Sequence, residues 1–70
     1  MNWDDIRYFL AIARTATLSG AAKELNVSQP TVSRRLAAME QGFGVKLFDH
    51  TANGYEVSTP GADILETAKH

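Results

Sequence analysis

Cysteine is absent from the chain, which excludes disulfides and thiolate zinc sites together and leaves nothing that argues for an oxidising compartment. No apolar run approaches the roughly 20 residues that span a bilayer. No basic-then-apolar leader opens the chain, so a cytoplasmic protein with no membrane partner is expected. An excess of positive charge is missing too: 7 Lys and Arg stand against 8 Asp and Glu, a formal net charge of -1. That balance excludes a polyanion binder that works through total charge. Repeats, low-complexity tracts and linker-like stretches are also absent, so the chain reads as continuous structure.

What is present is a globular mix. At 70 residues and 44% apolar content, the chain supports one domain with a thin core, marginal unless a partner subunit adds buried surface. Its charge is unevenly placed. Asp4, Asp5, Asp63 and Glu66 lie near the two ends, whereas Arg34 and Arg35 sit together in the middle. Any surface for a nucleic acid is therefore local and modest.

Helical periodicity dominates the first two thirds. Asn2 is placed to cap a helix over residues 3–15, with Asp4 and Asp5 at the positive end of its dipole. Ile6, Phe9, Leu10 and Ala13 form its apolar stripe, Trp3 covers one end of that face, and Tyr8 is offset with its hydroxyl toward water. Thr17 caps a second, short helix whose Ala21-Ala22 pair allows close approach of a neighbour. Asn26 ends it, since Asn tolerates the left-handed conformation of a tight turn. Ser28 caps a third helix with Pro30 in its first turn, where a missing N–H costs nothing.

The angles along this third helix separate two faces. At about 100° per residue, Val32, Leu36, Met39 and Phe43 fall within a sector of roughly 60° and form the core face. Pro30, Arg34, Ala37 and Gln41 point the opposite way, flanked by Thr31 and Ser33. Gly42 and Gly44 end the helix. The runs VKLFDH and GYEVS then read as two short strands joined near Thr51-Ala52-Asn53-Gly54, a hairpin signal. Pro60 opens a last helix, capped by Ser58 or Thr59 and carrying Ala62, Ile64, Leu65 and Ala68.

Two helices across a tight turn, the second with an exposed polar N-terminal half, make a helix-turn-helix, and the hairpin makes it winged. The expected fold is mainly α: a three-helix core, a two-stranded wing and a C-terminal linker helix. Such a helix fits the major groove, where each base pair displays its own donor and acceptor pattern.

These residues carry a resemblance. The run AAKELNVSQPTVSRRLAAME followed by GVKLF, with Arg7-Tyr8-Phe9 early and Ser58-Thr59-Pro60-Gly61 late, resembles the N-terminal DNA-binding domain of LysR-type transcriptional regulators. The likeness covers essentially the whole chain. It implies a bacterial transcription factor acting as a homodimer or homotetramer, with residues 1–58 the DNA-binding domain and 59–70 the start of the dimerisation helix. A small-molecule effector would act only through a further domain that this chain lacks. Ile64, Leu65 and Ala68 are the expected dimerisation residues. Dimer symmetry would set two recognition helices about one DNA turn apart, or a multiple of it, on a partly palindromic site.

The resemblance further implies that Gln29, Pro30, Ser33 and Arg34 face double-stranded DNA, in agreement with the wheel. Arg34 suits a guanine edge or a phosphate, Gln29 an adenine edge, and Pro30 a thymine methyl, with Thr31 near base or backbone. Backbone contacts are assigned to Ser28, Lys46, His50 and Asn53. Arg35 leans toward the core side, which leaves a DNA backbone contact and an intramolecular salt bridge both open. The family's pattern has a basic residue after the LF-x step and more arginine through the wing. Here His50, Ala52, Asn53 and Glu56 stand there instead, so less help from the wing is expected.

Other classes have less to stand on. No nucleophile motif, glycine-rich phosphate loop or carboxylate pair points to an enzyme, and His50 and His70 are too isolated for a metal site. Neither cofactor nor metal is expected. The competing reading is a winged helix that binds a protein partner instead of DNA.

Overall fold

The computed structural model describes residues 2–68, the side chain of Ala68 excepted. Its elements run α1 (Trp3–Thr15), α2 (Leu18–Leu25), α3 (Gln29–Phe43), β1 (Phe48–Thr51), β2 (Gly54–Val57) and α4 (Thr59–Ala68). This is a winged helix-turn-helix.

Each helix starts on a side chain that satisfies an otherwise orphaned N–H. Asn2 Oδ1 accepts from the Asp5 N–H at 2.9 Å, Thr17 Oγ1 from Gly20 at 2.8 Å, and Ser28 Oγ from Thr31 at 3.3 Å. At the other ends Ala16 (φ 63°), Asn26 (φ 59°) and Gly44 (φ 72°) all turn left-handed and close α1, α2 and α3. In α4 the cap is Ser58, whose Oγ accepts from the Gly61 N–H at 3.0 Å.

Phe9, Ile12, Val32 and Leu47 are fully buried and hold the centre. Burying each such side chain contributes about 1.5–3 kcal/mol. Ala21 and Ala22 are buried with them, the small contacts that let α2 close on its neighbours. Phe48 joins the wing to this core, its ring 5.0 Å from that of Phe9. Ile64 and Leu65 of α4 pack half-buried against the same cluster.

The hairpin pairs antiparallel, Phe48 with Val57, Asp49 with Glu56, His50 with Tyr55 and Thr51 with Gly54. Strand β1 is shorter than the VKLFDH run suggests. The Leu47 N–H donates to Glu40 Oε2 at 2.8 Å and its carbonyl accepts from the Ser58 N–H at 3.0 Å. The bond to Ser58 continues the register of the hairpin, but the Leu47 N–H is diverted to Glu40, so strand pairing starts only at Phe48. Neither Ala52 nor Asn53 has a positive φ, so the turn is not the mirror-image type that Asn-Gly favours. The left-handed residue is Gly54, at φ 106°.

Apolar expectations fail at Trp3 and Phe43. Trp3 is 72% exposed and covers nothing, because it stands at the first residue of α1 ahead of the packed turns. Phe43 is 40% exposed. It keeps to the core side of α3 but lies in the last turn, beside Asn2 and Asp5, where no further element among the described residues covers it. Tyr8 keeps its hydroxyl open to water, as its offset implies, although its ring is covered by Arg35 of α3 and only 7% of the residue is exposed.

Candidate nucleic-acid interface

The N-terminal half of α3 is anchored from behind and open in front. Val32, Leu36 and Met39 are buried, while Gln29, Pro30, Ser33 and Arg34 are exposed. Gln29, Pro30 and Ser33 line one shallow depression together with Leu18. Arg34 has no hydrogen bond or ion pair among the described residues. Five donors in a planar fork are thus free to meet an acceptor pair such as a guanine edge or a phosphate.

Ser28 and Thr31 are less free. Their hydroxyls lie 2.7 Å apart and share a hydrogen bond, while Ser28 Oγ also caps the helix. Either hydroxyl retains acceptor capacity, but both are oriented by the cap. Thr31 is half-buried, whereas Gln29 and Ser33 are exposed.

Of the two uses open to Arg35, the structure shows the intramolecular one. Its Nη2 lies 3.6 Å from Asp4 Oδ2 and its Nε 3.7 Å from Asp5 Oδ1. The guanidinium carbon stands 5.0 Å from the centre of the Tyr8 ring. The adjacent arginines therefore part company, Arg34 outward and Arg35 onto α1.

A second cleft, of about 410 Å³, separates α3 from the wing. Ser33 stands on one wall and Lys46 and His50 on the other, so wing residues and a recognition-helix residue share one opening. The imidazole of His50 stacks on Tyr55 with ring centroids 4.4 Å apart and planes 5° from parallel. Asn53 is exposed at the wing tip, where its own N–H donates to Thr51 Oγ1 at 3.1 Å. Asp49 pairs across the hairpin with Glu56, two exposed carboxylates side by side, and Asp49 also lines the cleft together with Glu40. Acidic residues thus share the cleft with Lys46 and His50, which keeps the pull of the wing on a phosphate backbone weak.

Leu18 is the residue that the sequence did not single out. It lines both the depression and the cleft as the first residue of α2, half-buried. Its signal is its spacing to Ala21, Ala22 and Leu25, which puts it on the apolar stripe of α2 and against the core.

The helix-turn-helix has well-defined relatives. Residues 3–62 match the model of the bacterial regulatory helix-turn-helix proteins of the lysR family. The chain belongs to the LysR family. It is 39% identical over 69 residues to the HTH-type transcriptional regulator ClcR of Pseudomonas putida, covering 99% of this chain and 24% of that protein. A LysR-type chain here thus spans about a quarter of the length of the curated relatives it matches. Among solved structures, the CbnR DNA-binding domain in complex with DNA superposes with a TM-score of 0.87 at 36% identity, over 99% of this chain and 79% of that one. The BenM DNA-binding domain with its benA site 1 DNA gives 0.88 at 25% identity, over 99% and 78%. Both LysR-type neighbours share the arrangement of helices and wing described above.

Proposed function

We propose that this LysR-type domain binds double-stranded DNA sequence-specifically, with α3 in the major groove of a partly palindromic site. The observation that carries the reading is the two-sided helix: Val32, Leu36 and Met39 fix it to the core while Gln29, Pro30, Ser33 and Arg34 stand exposed. The DNA complexes of CbnR and BenM support it. Arg34 reads a guanine edge or holds a phosphate, Gln29 reads an adenine edge, and Pro30 packs on a thymine methyl with Leu18 beside it. Thr31 and Ser33 add polar contacts to base or backbone. Ser28, Lys46, His50 and Asn53 contact the DNA backbone, the last three from the cleft side or tip of the wing. Arg35 leaves this set, because its charge faces Asp4 and Asp5.

The functional unit is a homodimer or homotetramer joined through α4, with residues 1–58 the DNA-binding part and 59–70 the start of the dimerisation helix. Ile64, Leu65 and Ala68 are the residues assigned to that contact, and the Ala68 side chain lies outside the described residues. Ile64 and Leu65 also pack on their own core. A substitution such as Leu65→Asp therefore tests folding and assembly together. An effector acts through the part of a longer regulator beyond this domain, and the setting is the bacterial cytoplasm. No helix among the described residues is long and apolar enough to cross a membrane.

The test is selection of bound duplexes from a randomised pool, followed by affinity measurements on selected and scrambled duplexes at several salt concentrations. The expected outcome is a preference of about 10³ or more for the selected sequence and a negative slope of log affinity against log salt. No preference for any duplex at any salt would overturn the reading in favour of a protein-binding module.

A further inference from the structure

We infer that Arg35 is a positioning residue for the recognition helix: it locks α3 to the first turns of α1 through Asp4, Asp5 and Tyr8, and it neutralises no phosphate. The inference rests on the DNA-binding reading above. Three groups surround one guanidinium. Asp4 Oδ2 lies 3.6 Å from Nη2, Asp5 Oδ1 3.7 Å from Nε, and the Tyr8 ring centre 5.0 Å from the guanidinium carbon. All three partners stand at positions that fall on one side of α1. The acceptors are themselves held. The Asp5 N–H is bound by the Asn2 cap at 2.9 Å, and Asp4 Oδ1 accepts from Arg7 Nη1 at 3.0 Å. Arg35 thus meets one carboxylate oriented by Arg7 and a second carried on the capped first turn of α1.

Sequence position makes this contact matter. Arg35 follows Arg34 directly, and one helical step of about 100° separates their directions. Whatever fixes Arg35 on α1 therefore fixes the rotation of α3 about its axis, and with it the direction of Arg34 and Ser33. Each ion pair is partly exposed, with 36% of the Arg35 side chain accessible, so neither is strong alone. A planar guanidinium uses ring face and carboxylates at once, which a lysine cannot do. Arg7 and Arg35 together balance Asp4 and Asp5, so the first turns of α1 carry no net charge. The cost is that Arg35 has no charge left to release counterions from DNA.

The 70-residue chain is tested on the duplex selected from the randomised pool. The double variant Asp5→Asn/Arg35→Gln keeps the net charge while removing the clamp. Expected is a discrimination ratio between selected and scrambled duplexes narrowed about tenfold, with the slope of log affinity against log salt unchanged. A slope shallower by about 0.9 would mean that Arg35 neutralises a phosphate and would overturn the inference. Unchanged discrimination would overturn it as well, leaving Arg35 a surface ion pair without consequence for recognition. Arg35→Lys guards against misfolding. It keeps the charge but loses the fork and the stack, and should narrow discrimination at a wild-type salt slope. Full discrimination in the lysine variant would also count against the clamp. Lack of any duplex preference in the wild-type chain defeats the DNA reading itself and is seen before either variant is made.

Discussion

The Glu40 carboxylate on α3 accepts the backbone N–H of Leu47 at 2.8 Å, seven residues on. Gly44 turns the chain back at the end of the helix, and this bond then pins the loop that leads into the wing. The same loop is held from the other side, where Ser58 Oγ donates to the Lys46 carbonyl at 2.6 Å. Glu40 thus sets where β1 begins and how far the wing stands from α3. Glu40→Ala leaves a part-buried N–H without its acceptor and should cost about 1–3 kcal/mol. Glu40→Gln, which retains an acceptor oxygen, should cost less. Urea unfolding of the three chains measures this, and equal midpoints would detach Glu40 from the placement of the wing.

Two glycines are fixed by close approach. At Gly54, φ is 106° and an added methyl would run into the Ala16 carbonyl oxygen, the same oxygen that accepts the Tyr55 N–H at 2.8 Å. At Gly61 the methyl would meet the Leu47 carbonyl. Gly54→Ala should destabilise by more than about 1 kcal/mol, since it combines a disfavoured φ with a clash. Gly61→Ala, a purely steric insult at a buried site, should cost about 1–3 kcal/mol. Denaturant midpoints close to wild type would show that the wing and α4 shift at little cost.

Much of this was legible in the sequence because it is local. Asn2, Thr17 and Ser28 announce themselves as caps by residue type and position, and the period of Val32, Leu36 and Met39 names the buried side of α3. What periodicity does not carry is how far a neighbouring element reaches. Phe43 keeps the right angle but overruns its cover, and Tyr8 has the wrong angle yet lies under α3. The late start of β1 was equally hidden, since it depends on Glu40 taking the Leu47 N–H from outside the strand runs. At the candidate site, Gln29 was added by the family resemblance, while the outward direction of Pro30, Ser33 and Arg34 followed from the wheel. The fate of Arg35 did not, because a wheel gives a direction and no partner.

The Arg14–Glu24 bridge ties α1 to α2 and gives a pH signature. The side-chain hydrogen bond from Arg14 holds the Glu24 carboxyl below the ordinary glutamate range, with Coulombic attraction adding to it and desolvation opposing. A depressed carboxyl pKa favours the fold above the unfolded-state value, and the advantage fades as pH falls through the folded-state value. Both groups are open to solvent, so the effect is small and weakened by salt. Wild type should melt slightly above Glu24→Gln at neutral pH, and the two Tm values should converge below the ordinary glutamate range. A gap that persists in acid would assign it to something other than this pair.

Arg34 is the sharpest test of the interface, because it has no partner among the described residues and is exposed beside buried Val32 and half-buried Arg35. Arg34→Ala should therefore leave the unfolding midpoint within about 0.5 kcal/mol of wild type, as for surface substitutions generally. Its effect on DNA then separates two roles. A base-reading arginine costs about 1–3 kcal/mol on the selected duplex and relaxes preference at one position. A phosphate-binding arginine weakens all duplexes alike and makes the salt slope shallower by about 0.9. The free fork and its place on the outward face beside Gln29, Pro30 and Ser33 favour the first outcome. Fluorescence anisotropy on duplexes permuted one base pair at a time reads it directly. Affinity unchanged on every duplex would remove Arg34 from the interface.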